Sequence, residues 1–228
     1  MWNTTLKLAK LVAPDGAITA LDVSSVMLEV ARKKTEAATV PVNFLNADAE
    51  TCALDTETYD VMFSQFGVMF FANPNAAFAN FHQALKPGGR IAFVCWRGPE
   101  RNPFLMVPFN AVRHFMPELA SPNPDALASP LSFESKEKVG RMLDAAGFVG
   151  VLFEPFEIGA SMGEGSLEEC TRFVIAFAGG TVGAVIRGAG ENNTAAIVTA
   201  LEAGLAPYHT GNSIKLGASA WIVSARRP

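Results

Sequence analysis

Tyr59-Asp60-Val61-Met62-Phe63-Ser64, a helical pattern over Ala76 to Leu85, the turn Pro87-Gly88-Gly89 and then Arg90-Ile91-Ala92-Phe93-Val94-Cys95-Trp96 decide the fold. Two apolar runs flank an amphipathic segment, and neither run alternates cleanly between apolar and polar positions. That pattern suits parallel strands covered by helices on both faces. The same alternation recurs upstream. Ala17-Ile18-Thr19-Ala20-Leu21 is a short run ended by Asp22, and Ser24 or Ser25 can cap a helix from Met27 to Lys34. Val42-Asn43-Phe44-Leu45 is a further strand, closed by Asn46-Ala47-Asp48-Ala49. Repeated strand–helix–strand units predict an α/β protein with a doubly wound, mostly parallel sheet.

The remaining segments are read around this core. Thr5 to Val12 has the pattern of the rear of an amphipathic helix, broken by Pro14-Asp15-Gly16. Residues 97–130, rich in Pro, Asn and Phe, are expected to form loop and helix. Ser135 to Ala146 reads as a helix stopped by Gly147, and Val149 to Phe153 as a strand. Gly159 to Gly165 reads as a loop, Leu167 to Ala178 and Ala195 to Leu205 as helices, and Ser219 to Ser224 as a last strand. The expectation is one domain over residues 1–228, with 97–130 and 160–212 as helical and loop cover.

Composition narrows the function. Of 228 residues, 50% are hydrophobic and 18% are charged, enough apolar material for a substantial core. The formal charge is −4, and the basic residues are scattered, which argues against nucleic acid or an anionic membrane as partner. The stretch from Val61 to Leu85 lacks Lys, Arg, Asp and Glu, yet its Gln65, Asn73, Pro74, Asn75 and Asn80 exclude a membrane span. Three widely spaced cysteines, Cys52, Cys95 and Cys170, form neither a disulfide framework nor a metal knuckle. No metal is expected, and the location expected is cytoplasmic.

Open α/β sheets bind ligands beyond the carboxyl ends of their strands. Those ends carry Asp22, then Asp48, then Ser64-Gln65-Phe66. A strand-end acid can take both hydroxyls of a ribose. The second acid, 26 residues further on, would sit where an adenine amino group could donate to it. Val23 and Met27 offer apolar faces for a purine. A single strand-end Asp also serves simply as a helix cap; two at successive strand ends, with these surroundings, point to a nucleoside.

Four pieces in this order resemble the class I S-adenosylmethionine-dependent methyltransferases, particularly those acting on small molecules. They are Leu21-Asp22-Val23-Ser24 with Met27-Leu28, Asn46-Ala47-Asp48-Ala49-Glu50, Tyr59 through Phe71, and Leu85-Lys86-Pro87-Gly88-Gly89-Arg90. The resemblance is specific over Ala17 to Trp96 and weak through Gly147-Phe148 to Trp221. It implies a Rossmann-like fold, S-adenosylmethionine as cofactor and a small, partly apolar acceptor. It further implies Asp22 on the ribose, Met27 beside the adenine, Asp48 with the Ala49 backbone reading the adenine, and Ser64 and Gln65 near the methionine portion.

One departure stands out. The family has a first strand and a glycine-rich loop before its opening helix, whereas this sequence begins at Met1-Trp2-Asn3-Thr4-Thr5 within that helix. The resemblance therefore implies an N-terminally truncated chain, a fragment or mis-started product. The missing strand would be central, between Ala17–Leu21 and Tyr59–Phe63. The other arrangement is a sheet in which those two strands close up.

No general base stands out. His82 sits among Phe78, Phe81 and Leu85 and reads as structural, and His209 as a loop residue. His114, in the segment expected over the acceptor, is the best of three weak candidates. Phe104, Leu105, Met106, Phe109 and Phe115 fit either an apolar acceptor pocket or a helix packed on the sheet. Two other functions remain open: a non-catalytic methyltransferase-like binding module and, more distantly, a nicotinamide-dependent oxidoreductase.

Overall fold

The structure is a computed structural model that describes residues 2–35, 41–115, 130–177, 183 and 191–228. It forms two compact units. The first comprises Met1–Val94, Lys136–Phe153 and Val223–Pro228, and the second Cys95–Ser135 and Glu154–Ile222.

The first unit opens with helix α1 (Trp2–Val12), strand β1 (Ile18–Asp22), helix α2 (Ser25–Thr35) and strand β2 (Val42–Asn46). β1 and β2 pair in parallel from Ile18↔Val42 to Asp22↔Asn46 and make a two-stranded sheet by themselves. α2 begins where the Ser24 hydroxyl accepts the Met27 N–H at 3.3 Å, and it buries Leu28 and Ala31. Its last turn carries Arg32, Lys33 and Lys34, cations that complement the carboxyl end of the helix dipole.

Strand β3 (Tyr59–Gln65), helix α3 (Pro74–Ala84) and strand β4 (Leu85–Trp96) form the crossover expected from the sequence, with β3 and β4 parallel. Pro74 stands in the first turn of α3, where no N–H is needed, and the Asn73 side chain accepts the Ala76 N–H at 3.1 Å. Phe78 is fully buried between Phe93 of β4 and Phe71, at ring separations of 5.6 and 6.4 Å.

The Pro87-Gly88-Gly89 turn is not outside the strand but interrupts it. Pairing jumps from Tyr59↔Leu85 to Val61↔Arg90, so Lys86–Gly89 bulge from the ladder. Gly88 takes a φ of +77°, which a side chain would strain, and its N–H donates to the Arg227 carbonyl at 3.0 Å. Arg227 in turn donates to the carbonyls of Gln83 and Leu85 and pairs with Glu57 at 2.7 Å.

Helix α4 (Pro103–Val112), helix α5 (Lys136–Ala145), strand β5 (Val149–Glu164), helix α6 (Leu167–Phe177), helix α7 (Glu191–Leu205) and strands β6 (His209–Thr210) and β7 (Ser213–Arg226) complete the chain. The second sheet runs β3-β4-β7-β5, with β6 paired to β7. Two corrections arise here. Gly159–Gly165 does not form a loop, because β5 continues to Glu164; a side chain at Gly163 would lie 3.0 Å from the Cys170 backbone of α6, and the glycine permits that approach. The last strand starts at Ser213, turned by the two-residue hairpin Gly211-Asn212 with Gly211 at φ +62°.

Within the second unit, Met162, Cys170, Val174, Leu205, Ile214 and Leu216 form the core against Phe104 and Val107. Phe115 packs on Val112, Ile197 and Leu201. Phe104 and Phe115 thus serve as helix-packing residues. α6 begins with a reciprocal cap: the Ser166 N–H donates to Glu169 at 2.7 Å and the Glu169 N–H to Ser166 at 3.2 Å. These bonds hold the Glu169 carboxyl below its ordinary range.

Candidate functional site

β1 and β3 do not pair with each other. Among the described residues β1 has only β2 as neighbour, and β3 only β4. The two strands instead line one cleft of about 660 Å³ in the first unit. Asp22, Val23, Asp48, Ala49, Ser64 and Gln65 all face it, while Met27 does not line it. Six of the seven sequence-chosen ligand contacts are thereby brought together.

Each side chain is held by its own turn. The Asp22 carboxylate accepts the Ser24 N–H at 2.9 Å, so one oxygen is fixed at the start of α2. The Asn46 amide donates to the carbonyls of Asp22 and Val23, both at 2.9 Å, and ties the ends of β1 and β2 together. Asp48 accepts the Glu50 N–H at 2.9 Å. Glu50 accepts from the Ala72 and Asn73 amides at 2.6 and 2.8 Å, and Asn80 donates to the carbonyls of Ala49 and Cys52 at 2.8 and 2.9 Å. Glu50 and Asn80 therefore bolt the Asp48 loop to α3. Sequence reasoning missed Asn46, Asn80 and this role of Glu50, since each acts on backbone atoms distant along the chain.

At the end of β3, Phe66 is a non-glycine residue with φ +58°, and its N–H still donates to Val94 at 3.0 Å. The turn throws Gly67 close to Ser64: a Cβ there would sit 2.9 Å from the hydroxyl. Gln65 accepts from the Thr4 hydroxyl of α1.

The electrostatics are one-sided. Asp22, Asp48 and Glu50 line the cleft, and among the described residues no Lys, Arg or His does. The other walls are largely apolar, from Leu21 and Leu28 to Phe63 and Phe93. Such a cleft attracts a cationic or zwitterionic organic ligand and opposes a diphosphate.

His114 belongs to the second unit, is exposed and stacks on Phe115 with ring centroids 4.0 Å apart. His209 bonds the Gly165 carbonyl through Nε2 at 2.9 Å. Cys95 is fully buried, and burial pushes its thiol up to about 12. His82 packs edge-on against Phe148 at 5.1 Å, and its Nε2 is buried with no partner at hydrogen-bonding geometry among the described residues. Burial lowers its pKa, the Arg227 cation adds to this, and the Gly147 backbone offsets it in part. Among the described residues no group of three or more His, Cys, Asp or Glu is placed to hold a metal, and no helix is long and apolar enough to cross a membrane.

Residues 3–93, the segment that builds this cleft, match the methyltransferase domain family. The chain is similar to a demethylmenaquinone methyltransferase of Thermus thermophilus, 32% identical over 143 residues, which cover 60% of this chain and 65% of that protein. The Staphylococcus aureus demethylmenaquinone methyltransferase is 27% identical over 164 residues, covering 69% and 68%. The fold is like that of the YcgJ protein of Bacillus subtilis, with TM-score 0.58 at 14% identity over 99% of this chain and 97% of that one. It also resembles a Methanosarcina mazei methyltransferase, with TM-score 0.54 at 13% identity over 98% and 86%. The [4+2]-cyclase SpnF has the fold as well, with TM-score 0.54 at 19% identity over 98% and 71%.

Residues 3–93 thus carry a methyltransferase domain, on the Rossmann-like fold of the class I S-adenosylmethionine-dependent methyltransferases. S-Adenosylmethionine is the cofactor of that class, and the residues present fit its nucleoside: two strand-end carboxylates on apolar walls, with no lining cation among the described residues to oppose a sulfonium.

Proposed function

We propose that this protein transfers the methyl group of S-adenosylmethionine to a small, partly apolar acceptor. The observation that carries the reading is the cleft's composition: Asp22 and Asp48 lining it, apolar walls, and no lining cation among the described residues. When bound, the cofactor supplies a methyl group already activated on a sulfonium, so the protein's work is alignment and exclusion of water.

In this reading Asp22 binds both ribose hydroxyls, its rotamer set by the Ser24 amide. Val23 contributes the apolar purine wall, and Leu28, which lines the cleft, takes the place first assigned to Met27. Asp48 accepts the adenine amino group while the Ala49 backbone, clamped by Asn80, orients the ring. Ser64 and Gln65 address the methionine portion. No residue is assigned as general base, since one is needed only when the acceptor must lose a proton.

The relatives' names suggest a demethylated quinol as a model acceptor, in keeping with an apolar site. The nicotinamide reading is disfavoured because its diphosphate would meet three carboxylates without a countercharge. Calorimetric titration of the protein with S-adenosylmethionine, followed by transfer of a radiolabelled methyl group to demethylmenaquinol, tests the proposal. Saturable binding and labelled product are expected; absence of binding rejects the reading, and binding without transfer rejects the acceptor.

A further inference from the structure

We propose that the second unit carries a small-molecule site of its own, a cavity of about 480 Å³ built on the turn after β4, and that it takes a compact zwitterion with a carboxylate at one end and an ammonium at the other. None of its lining residues lines the first unit's cleft. The volume falls within the range of about 300–1,000 Å³ usual for small-ligand pockets.

The placement of charge gives the first argument. The lining carries Arg97 and Arg101 together with Glu100 and Glu134. Arg97 is already engaged: its Nη1 donates to Glu157 at 2.8 Å and to the Ser219 hydroxyl at 3.1 Å. Arg101 approaches Glu157 at 3.6 Å and Glu100 at 3.8 Å, too far for a hydrogen bond, so its donors stay open. Among the described residues the Glu134 carboxylate has no hydrogen bond or ion pair, although the Glu134 carbonyl accepts the Trp221 indole N–H at 3.3 Å. A simple anion would be drawn to Arg101 and repelled by the two glutamates, and a simple cation the reverse. A zwitterion satisfies both, carboxylate on Arg101 and ammonium on Glu134, with Pro99 and Trp221 beside its carbon chain.

Rigidity gives the second argument. Asn102 is fully buried, donates to the carbonyls of Arg97 and Gly98 at 2.8 and 3.2 Å, and accepts the Ser219 N–H at 2.8 Å. The Arg97 guanidinium lies 4.2 Å from the centre of the Trp221 ring. The wall is thus fixed before a ligand arrives, which lowers the ordering cost of binding. It also holds an orphan: the Arg97 side chain is only 11% exposed, and its Nε is buried with no partner among the described residues. A buried donor left unsatisfied is costly, and a carboxylate drawn to this wall supplies an acceptor for it.

The test titrates the full, isotope-labelled chain with glycine, β-alanine and 4-aminobutanoate, which share both charges and differ in spacing. The Trp221 indole N–H resonance, assigned with Trp221→Phe, reports binding because its acceptor belongs to Glu134. The expected result is a saturable shift, with at least one of the three binding about tenfold or more tighter than butanoate or butylamine. Arg101→Gln and Glu134→Gln should each weaken that ligand about tenfold or more, with the melting midpoint unchanged. No saturable shift with any of the three would overturn the proposal. So would equal binding of butanoate, which would make this an anion site, or of butylamine, which would make it a cation site. An affinity unchanged in both variants would overturn it too. None of these readouts involves S-adenosylmethionine, so failure here leaves the proposed function standing.

Discussion

Replacing Asp22 by Asn tests the nucleoside reading most sharply. The carboxylate lies at the end of β1, with one oxygen bound to the Ser24 amide at 2.9 Å. An Asn carbonyl oxygen can accept that bond, so the start of α2 survives. The other oxygen becomes an NH₂ group, which donates where a ribose hydroxyl needs an acceptor, and the negative charge is lost. A hydrogen bond to a charged group contributes roughly 1.5–3 kcal/mol, equivalent to about 10- to 100-fold in affinity. The assay is calorimetric titration of Asp22→Asn and the unaltered protein with S-adenosylmethionine at one salt concentration, beside thermal melts of both. The expected result is a Kd raised about 10- to 100-fold with a melting midpoint within about 4 °C. An unchanged Kd, with the parent protein binding normally, would refute the assignment of Asp22 to the ribose.

Four further outcomes follow from the structure. Asn80→Ala removes the donor shared by the Ala49 and Cys52 carbonyls, and should cost about 1–3 kcal/mol in denaturant unfolding while weakening cofactor binding. Gly147→Ala places a Cβ 3.0 Å from His82 Nε2 at a φ of +93°, and should cost about 1–3 kcal/mol by the same measurement. Because His82 is held below its ordinary 6.5 in the folded protein, the unfolded chain takes up the proton first as pH falls. Stability is then complete above about pH 6.5 and declines below it until the folded-state value is passed; His82→Phe should flatten that part of a melting-temperature profile. Cys95, with its thiol at about 12, should resist alkylation until the protein unfolds, whereas the partly exposed Cys52 reacts in the native state, as peptide mass mapping would show.

The order of β1 to β4 was legible because short apolar runs, turn residues and caps sit next to the elements they define. That Asp22, Asp48, Ser64 and Gln65 line one cleft was legible for the same reason: a strand's carboxyl end can be found from the strand alone. What escaped was set by neighbours remote in the chain. Gly159 and Gly163 looked like loop residues because the need for a bare Cα at Gly163 comes from α6, several residues later. The Pro87-Gly88-Gly89 turn became a bulge because Arg227 supplies its partners. Met27 was chosen as an apolar face near Asp22 and by the family resemblance, but the side chain that lines the cleft is its neighbour Leu28. Asn46 and Asn80 are ordinary polar residues in sequence and act as ties only once the backbone is folded around them.

The unit that holds the cleft draws on three separate stretches, and Arg227 stitches the last of them to Glu57, Gln83 and Leu85. A piece ending at Val94 would contain every cleft-lining residue and still lack α5 and this arginine clasp. The cleft lining and the scaffold that steadies it are thus inherited from different parts of the gene. Swapping the early part into another sequence would transplant the cleft lining without the scaffold.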